Sequence, residues 1–174
     1  MRDAESLPAK ATLPDHVDVR AAGLSAGWVT LNVDGQALPM YRAQPAGASN
    51  LPVVLLASAA SGARAHLAEA ARRFARLGYL ALAPDLCARL SGPASGAATA
   101  DAQVLADLDA TVAWARANGG NPGKIAITGL AGGDRLTWLY AAHNPSIKAG
   151  AAWYSRPKDG VHVLPGGLSL ALAL

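Results

Sequence analysis

Apolar and polar residues alternate along Gly27–Val33 (GWVTLNV), break at Asp34-Gly35, and resume as an extended pattern through Gln36–Ala43. Period-two alternation puts successive side chains on opposite faces of a strand, and Asp-Gly readily takes the positive φ values of a tight turn. A β-hairpin is expected here. Pro52–Ala57 (PVVLLA) is instead short and continuously apolar, the pattern of a strand covered on both faces near the centre of a parallel sheet. In His66–Leu77 (HLAEAARRFARL) the residues Leu67, Ala70, Ala71, Phe74 and Leu77 fall on one helical face, and Gly78 follows as a C′ glycine. Tyr79–Ala83 (YLALA) predicts a second buried strand, stopped by Pro84 and followed by a Gly/Ser/Pro-rich loop to about Ala98.

Asp101–Asn118 carries Val104, Leu105, Leu108, Val112 and Trp114 at helical spacing and ends at Gly119-Gly120. Lys124–Thr128 predicts a third buried strand, Gly133–His143 a helix ending before Asn144-Pro145, and Ile147–Tyr154 a fourth strand. A hairpin followed by β-α-β-α-β-α-β argues an α/β fold with a mostly parallel, doubly wound sheet. No internal repeat is apparent. Residues 23–156 are expected to form the domain, with 1–22 a flexible N-terminal segment and 157–174 an apolar tail.

Composition narrows the class only a little. The chain has 174 residues, 52% of them apolar but 5% aromatic, enough for one domain with a core built from Ala, Leu and Val. Its formal charge of +3 comes from cations scattered among acids, which lacks the clustered basic stripe of a nucleic-acid binder. The N-terminal residues contain no signal-peptide core, and the tail is shorter than the ~20 residues that cross a bilayer, so no membrane association is expected. Cys87, the single cysteine, excludes an intrachain disulfide and fits a reducing cytoplasm. No His/Cys/Asp/Glu grouping has metal-ligand spacing, and neither metal nor cofactor is expected.

The chemistry centres on Gly129-Leu130-Ala131-Gly132-Gly133, between a predicted strand and a predicted helix. That is the context of a nucleophile elbow, in which small residues two before and two after the nucleophile permit a tight strand-to-helix turn. The central position should hold Ser, Cys or Asp; it holds Ala131, whose methyl group cannot attack a carbonyl.

Four segments, RRFARLGYLALA (72–83), LADLDATVAWARA (105–117), GLAGGDRLTWLYAAHN (129–144) and KAGAAWY (148–154), closely resemble the dienelactone hydrolase (carboxymethylenebutenolidase) family. The likeness runs from about Gly23 to Arg156 and implies an α/β-hydrolase fold with a Cys-His-Asp triad that opens a lactone or ester through an acyl-enzyme. On that alignment Ala131 stands at the cysteine position and Ala59 at the position of a glutamate that contacts the resting thiol. The oxyanion donors map to the backbone N–H groups of Gly132 and Ala60, which survive any side-chain change. Arg89 maps to an arginine that receives the substrate carboxylate, so a small lactone or ester carboxylate is the implied ligand.

Substitute nucleophiles are poorly supported. Ser58 and Ser61 end the first parallel strand, where ligands bind in such sheets, but neither has an evident base. Cys87 lacks a partner that would lower its pKa, and Asp134 suits the positive end of the elbow helix. His66 and His143 read as solvated or capping groups, while His16 and His162 fall in the terminal segments. Trp114, Trp138, Tyr140 and Trp153 read as core.

The family's Asp and His arise from strands beyond the one ending at Tyr154, so this sequence is expected to be a partial version of the fold without the C-terminal strands, and catalytically impaired. Ile147–Tyr154 would then be an apolar edge open to self-association. The tail either folds back over that edge or is the out-of-frame end of a disrupted coding sequence. A small-carboxylate binding module and a residual hydrolase with another nucleophile are the alternatives.

Overall fold

The computed structural model describes residues 22–89, 97–130, 132–153 and 169–173. The hairpin forms as its alternation requires: β1 (Leu24–Val33) and β2 (Gln36–Pro45) pair antiparallel from Leu24↔Pro45 to Val33↔Gln36. At the turn Asp34 and Gly35 both take positive φ, 52° and 77°, and Gly35 N donates to Asn32 Oδ1 at 2.9 Å. Both values belong to the turn type whose twist matches the flanking strands.

Five further strands, β3 (Leu51–Ser58), β4 (Leu80–Pro84), β5 (Gly120–Leu130), β6 (Ile147–Trp153) and β7 (Ser169–Ala173), complete a seven-stranded sheet of order β1-β2-β4-β3-β5-β6-β7. β4, β3, β5, β6 and β7 run parallel, and the hairpin joins antiparallel through β2 against β4. β3 and β4 carry the continuous apolar runs and are buried throughout their central residues, as strands flanked on both faces must be.

The expected outer strand, Ile147–Tyr154, is not the edge. The tail supplies β7, which pairs parallel with β6 from Ala149↔Ser169 to Trp153↔Ala173. Helix boundaries also shift: α1 spans Arg64–Arg76, α2 Ala97–Ala117 and α3 Asp134–His143. Among the described residues, no helix is long and apolar enough to cross a membrane.

Two apolar layers result. On one face Leu67, Ala68, Ala71 and Ala75 of α1 pack on Val54, Leu56, Ala81 and Ala83. On the other, Val104, Leu108, Val112 and Ala115 of α2 and Leu136 and Tyr140 of α3 pack on Val53, Leu55, Leu82 and Ile127. Leu77, expected on the buried face of α1, is 73% exposed, because the helix ends at Arg76 and Gly78 turns the chain away with φ 93°.

Candidate active site

The parallel strands deliver their C-terminal ends to one edge of the sheet, where ligands bind in open α/β folds. Ala57↔Gly129 and Ser58↔Leu130 are in register, so the loop after β3 and the turn after β5 leave the sheet side by side. The turn is as tight as an elbow requires. A Cβ at Gly129 would overlap the Gly133 carbonyl and lie 2.7 Å from Asp134 N, and one at Gly133 would overlap the Ala57 carbonyl. No side chain fits at either position, which is why glycines stand there. Gly133 N closes the turn on Leu130 O at 3.0 Å.

Ala131 lies outside the described residues; its neighbours do not. Gly132 takes φ 80°, and a Cβ there would sit 3.8 Å from Ala59 Cβ. The structure thus brings together two of the positions singled out in the sequence. Ala60 is exposed beside them, and its N–H donates to Ser58 Oγ at 3.2 Å. Ser58 itself is buried, at 3% exposure. An i→i+2 bond from a serine is a local motif that the sequence Ser58-Ala59-Ala60 could have signalled.

Arg89 is bonded to groups of the protein itself. Its guanidinium is buried, at 4% side-chain exposure, and donates through Nη1 to Asp107 of α2, through Nη2 to Val33 O at 3.0 Å and through Nε to Gln36 Oε1 at 3.2 Å. A carboxylate already sits on this arginine, and it belongs to the protein. Asp107 is fully buried, and its Oδ2 has no hydrogen-bond partner among the described residues. Burial pushes this carboxyl above its ordinary pKa, with Arg89 pulling in the opposite direction.

The remaining candidates are placed as follows. Cys87 sits half-buried in the 3-10 turn Leu86–Ala88, and burial, then the charge of Asp85, raises its pKa, so the thiolate is disfavoured. Asp134 occupies the first turn of α3, where its charge meets the helix dipole, and Arg135 beside it pairs with Asp101. His66 is exposed on α1. His143 bonds Asp109 Oδ2 at 2.8 Å near the end of α3, the end away from the elbow. His16 and His162 lie outside the described residues. No group of three potential metal ligands occurs among the described residues.

Trp153 departs from the expected core position. It is 45% exposed at the end of β6, and its indole N–H donates to Thr128 Oγ1 at 2.9 Å, one residue before Gly129. Its bulk therefore flanks the turn. Sequence alone had no means of separating it from the buried aromatics, because strand ends carry no periodic signal.

The dienelactone hydrolase family model matches residues 38–165, which takes in the elbow and the strands on either side of it. The chain belongs to the dienelactone hydrolase family. It is 43% identical to a candidate carboxymethylenebutenolidase of Methylorubrum extorquens, covering 78% of this chain and 51% of that one. A similarly named Escherichia coli K12 protein is 42% identical over 75% of this chain and 53% of its own length. The chain spans about half the length of these curated relatives.

Among solved structures, a candidate dienelactone hydrolase from Klebsiella pneumoniae aligns with a TM-score of 0.71 at 34% identity, covering 86% of this chain and 71% of that one. A dienelactone hydrolase-like promiscuous phosphotriesterase from metagenomic libraries aligns with a TM-score of 0.64 at 23% identity, covering 75% of this chain and 59% of that one. At that identity the likeness concerns the fold alone.

Proposed function

We propose that this dienelactone hydrolase family chain keeps the backbone of the hydrolase elbow but has lost acyl transfer. The observation that carries the reading is the pairing of a sterically demanding turn with methyl side chains. Glycines 129 and 133 stand where nothing larger fits, while the positions that match the family's cysteine and glutamate are Ala131 and Ala59. An alanine offers neither a nucleophile nor a base. Ser58 is a weak substitute, since its hydroxyl is buried and engaged with Ala60 N–H.

A second reading follows from the adjacency of Gly132 and Ala59. The resemblance assigns the backbone N–H groups of Gly132 and Ala60 to an oxyanion site, and the oxygen of a small lactone or ester carboxylate suits such donors. On this reading the site binds without turning over. Self-association through the sheet edge, now at β7, and a cytoplasmic location belong to the same proposal; the apolar sequence of that strand and the lone Cys87 support them.

The test is turnover of p-nitrophenyl acetate and of a dienelactone by purified chain against a heat-denatured control. The two should be indistinguishable. Turnover that disappears in Ser58→Ala or Ser61→Ala would overturn the proposal and favour a relocated nucleophile.

A further inference from the structure

The bond between Ala60 N–H and Ser58 Oγ bears directly on what the pocket can accept. Ala60 is one of the two amides that the family alignment assigns to the oxyanion site, and in this chain that amide already has an acceptor at 3.2 Å. The acceptor is not solvent. Ser58 is the last residue of β3, 3% exposed, and paired in register with Leu130. The strand pairing fixes its backbone, so a ligand oxygen that reaches Ala60 N–H must compete with the Ser58 hydroxyl for that donor. Gly132, by contrast, is exposed, and a Cβ built on it would lie 3.8 Å from Ala59 Cβ.

We infer that Ser58 is an internal occupant of the amide site, filling one of its two donors, so that a small carboxylate meets Gly132 N–H alone. This rests on the reading of the elbow as a carboxylate-binding pocket. Ser58 is a specificity-determining residue in that pocket: its hydroxyl holds the Ala60 amide toward the strand end and weakens anionic oxygens that need two converging donors. A hydrogen bond of this kind has a net worth of about 1 kcal/mol, equivalent to roughly a five-fold change in an equilibrium constant.

The experiment follows the ¹⁵N–¹H resonances of Ala60 and Gly132 in the full chain while 2-furoate, a planar ring carboxylate, is titrated in. In the unsubstituted chain the Gly132 resonance should move and that of Ala60 should not. In Ser58→Ala both should move, and the apparent Kd should fall about five-fold. Ser58→Thr, which keeps the hydroxyl, should behave like the unsubstituted chain.

Without ligand, Ser58→Ala should shift the Ala60 amide upfield and speed its exchange, with the remaining strand resonances reporting that β3 is still formed. Equal movement of Ala60 in the unsubstituted and Ser58→Ala chains, or an unchanged Kd, overturns the inference while leaving the pocket. If neither resonance responds in either protein, the pocket fails and the inference falls with it.

Discussion

At the turn between β5 and α3 the backbone is arranged as tightly as a reactive elbow demands, yet the positions that match the family's cysteine and glutamate are the alanines 131 and 59. Along α2 the situation is reversed. There Asp107 meets Arg89, and Asp109 accepts from Tyr140 Oη at 2.8 Å and Asn144 Nδ2 at 3.1 Å while bonding His143 Nε2 at 2.8 Å. Groups able to carry charge or move a proton are thus concentrated where α2 meets Arg89 and the end of α3. The difference teaches that the charged pairs of this family fold sit in its helix packing, apart from the glycine turn.

The largest expected effect lies on the α2 side. Asp107→Ala should lower unfolding free energy by about 3–5 kcal/mol, measured by urea denaturation, because it leaves the Arg89 guanidinium buried without its counter-charge. The double variant Arg89→Met, Asp107→Leu should recover much of that loss. If Asp107→Ala costs little, Arg89 is free to serve a ligand and the contrast between the two regions collapses.

The elbow glycines give the next effect and separate sterics from conformation. Gly133→Ala should cost about 3 kcal/mol or more, since a Cβ there overlaps a backbone carbonyl that cannot withdraw. Gly132→Ala meets no such obstacle and should cost only the roughly 1–2 kcal/mol of a positive φ. Equal costs would show that the turn is not the tight one described.

The smallest effect is a pH dependence. Burial acts to raise the pKa of Asp109, but hydrogen bonds from His143, Tyr140 and Asn144 outweigh it and hold the carboxyl below its ordinary value. The unfolded state therefore binds a proton at a higher pH than the folded state does. Stability from this group is fully present above the unfolded carboxylate value of about 3.9 and is lost as pH falls through the lower folded value. Thermal unfolding between pH 2 and 5 should show a shallower acid-side decline in Asp109→Asn than in the unsubstituted chain. An unchanged slope would remove Asp109 from the ledger of groups that hold α2.

Much of this contrast was legible beforehand, and the reasons are physical. Continuous apolar runs announced β3 and β4, Asp34-Gly35 announced the hairpin turn, and Gly129 and Gly133 marked the elbow because their spacing reflects a steric requirement. The α2 partners left no such trace. Arg89 and Asp107 lie 18 residues apart along the chain, and nothing local distinguishes a buried arginine from one that meets a ligand. The tail was ambiguous for a similar reason: Pro165, Gly166 and Gly167 interrupt it, and the short apolar run that follows acquires its place as β7 only by pairing with β6. The bond from Ala60 to Ser58 is readable in principle, because a serine two residues before an N–H forms such a local bond.

Lost acyl transfer is tested most directly by looking for the acyl-enzyme itself. Purified chain would be incubated with excess p-nitrophenyl acetate, quenched in acid, and its intact mass recorded beside that of Ala131→Cys. The unsubstituted chain should show no acetyl adduct at early or late times. Ala131→Cys should acetylate slowly and release no product catalytically, since Ala59 still stands at the glutamate position. A stoichiometric acetyl adduct on the unsubstituted chain that forms and then decays would contradict the account, because it would place a working nucleophile on a chain whose elbow carries none.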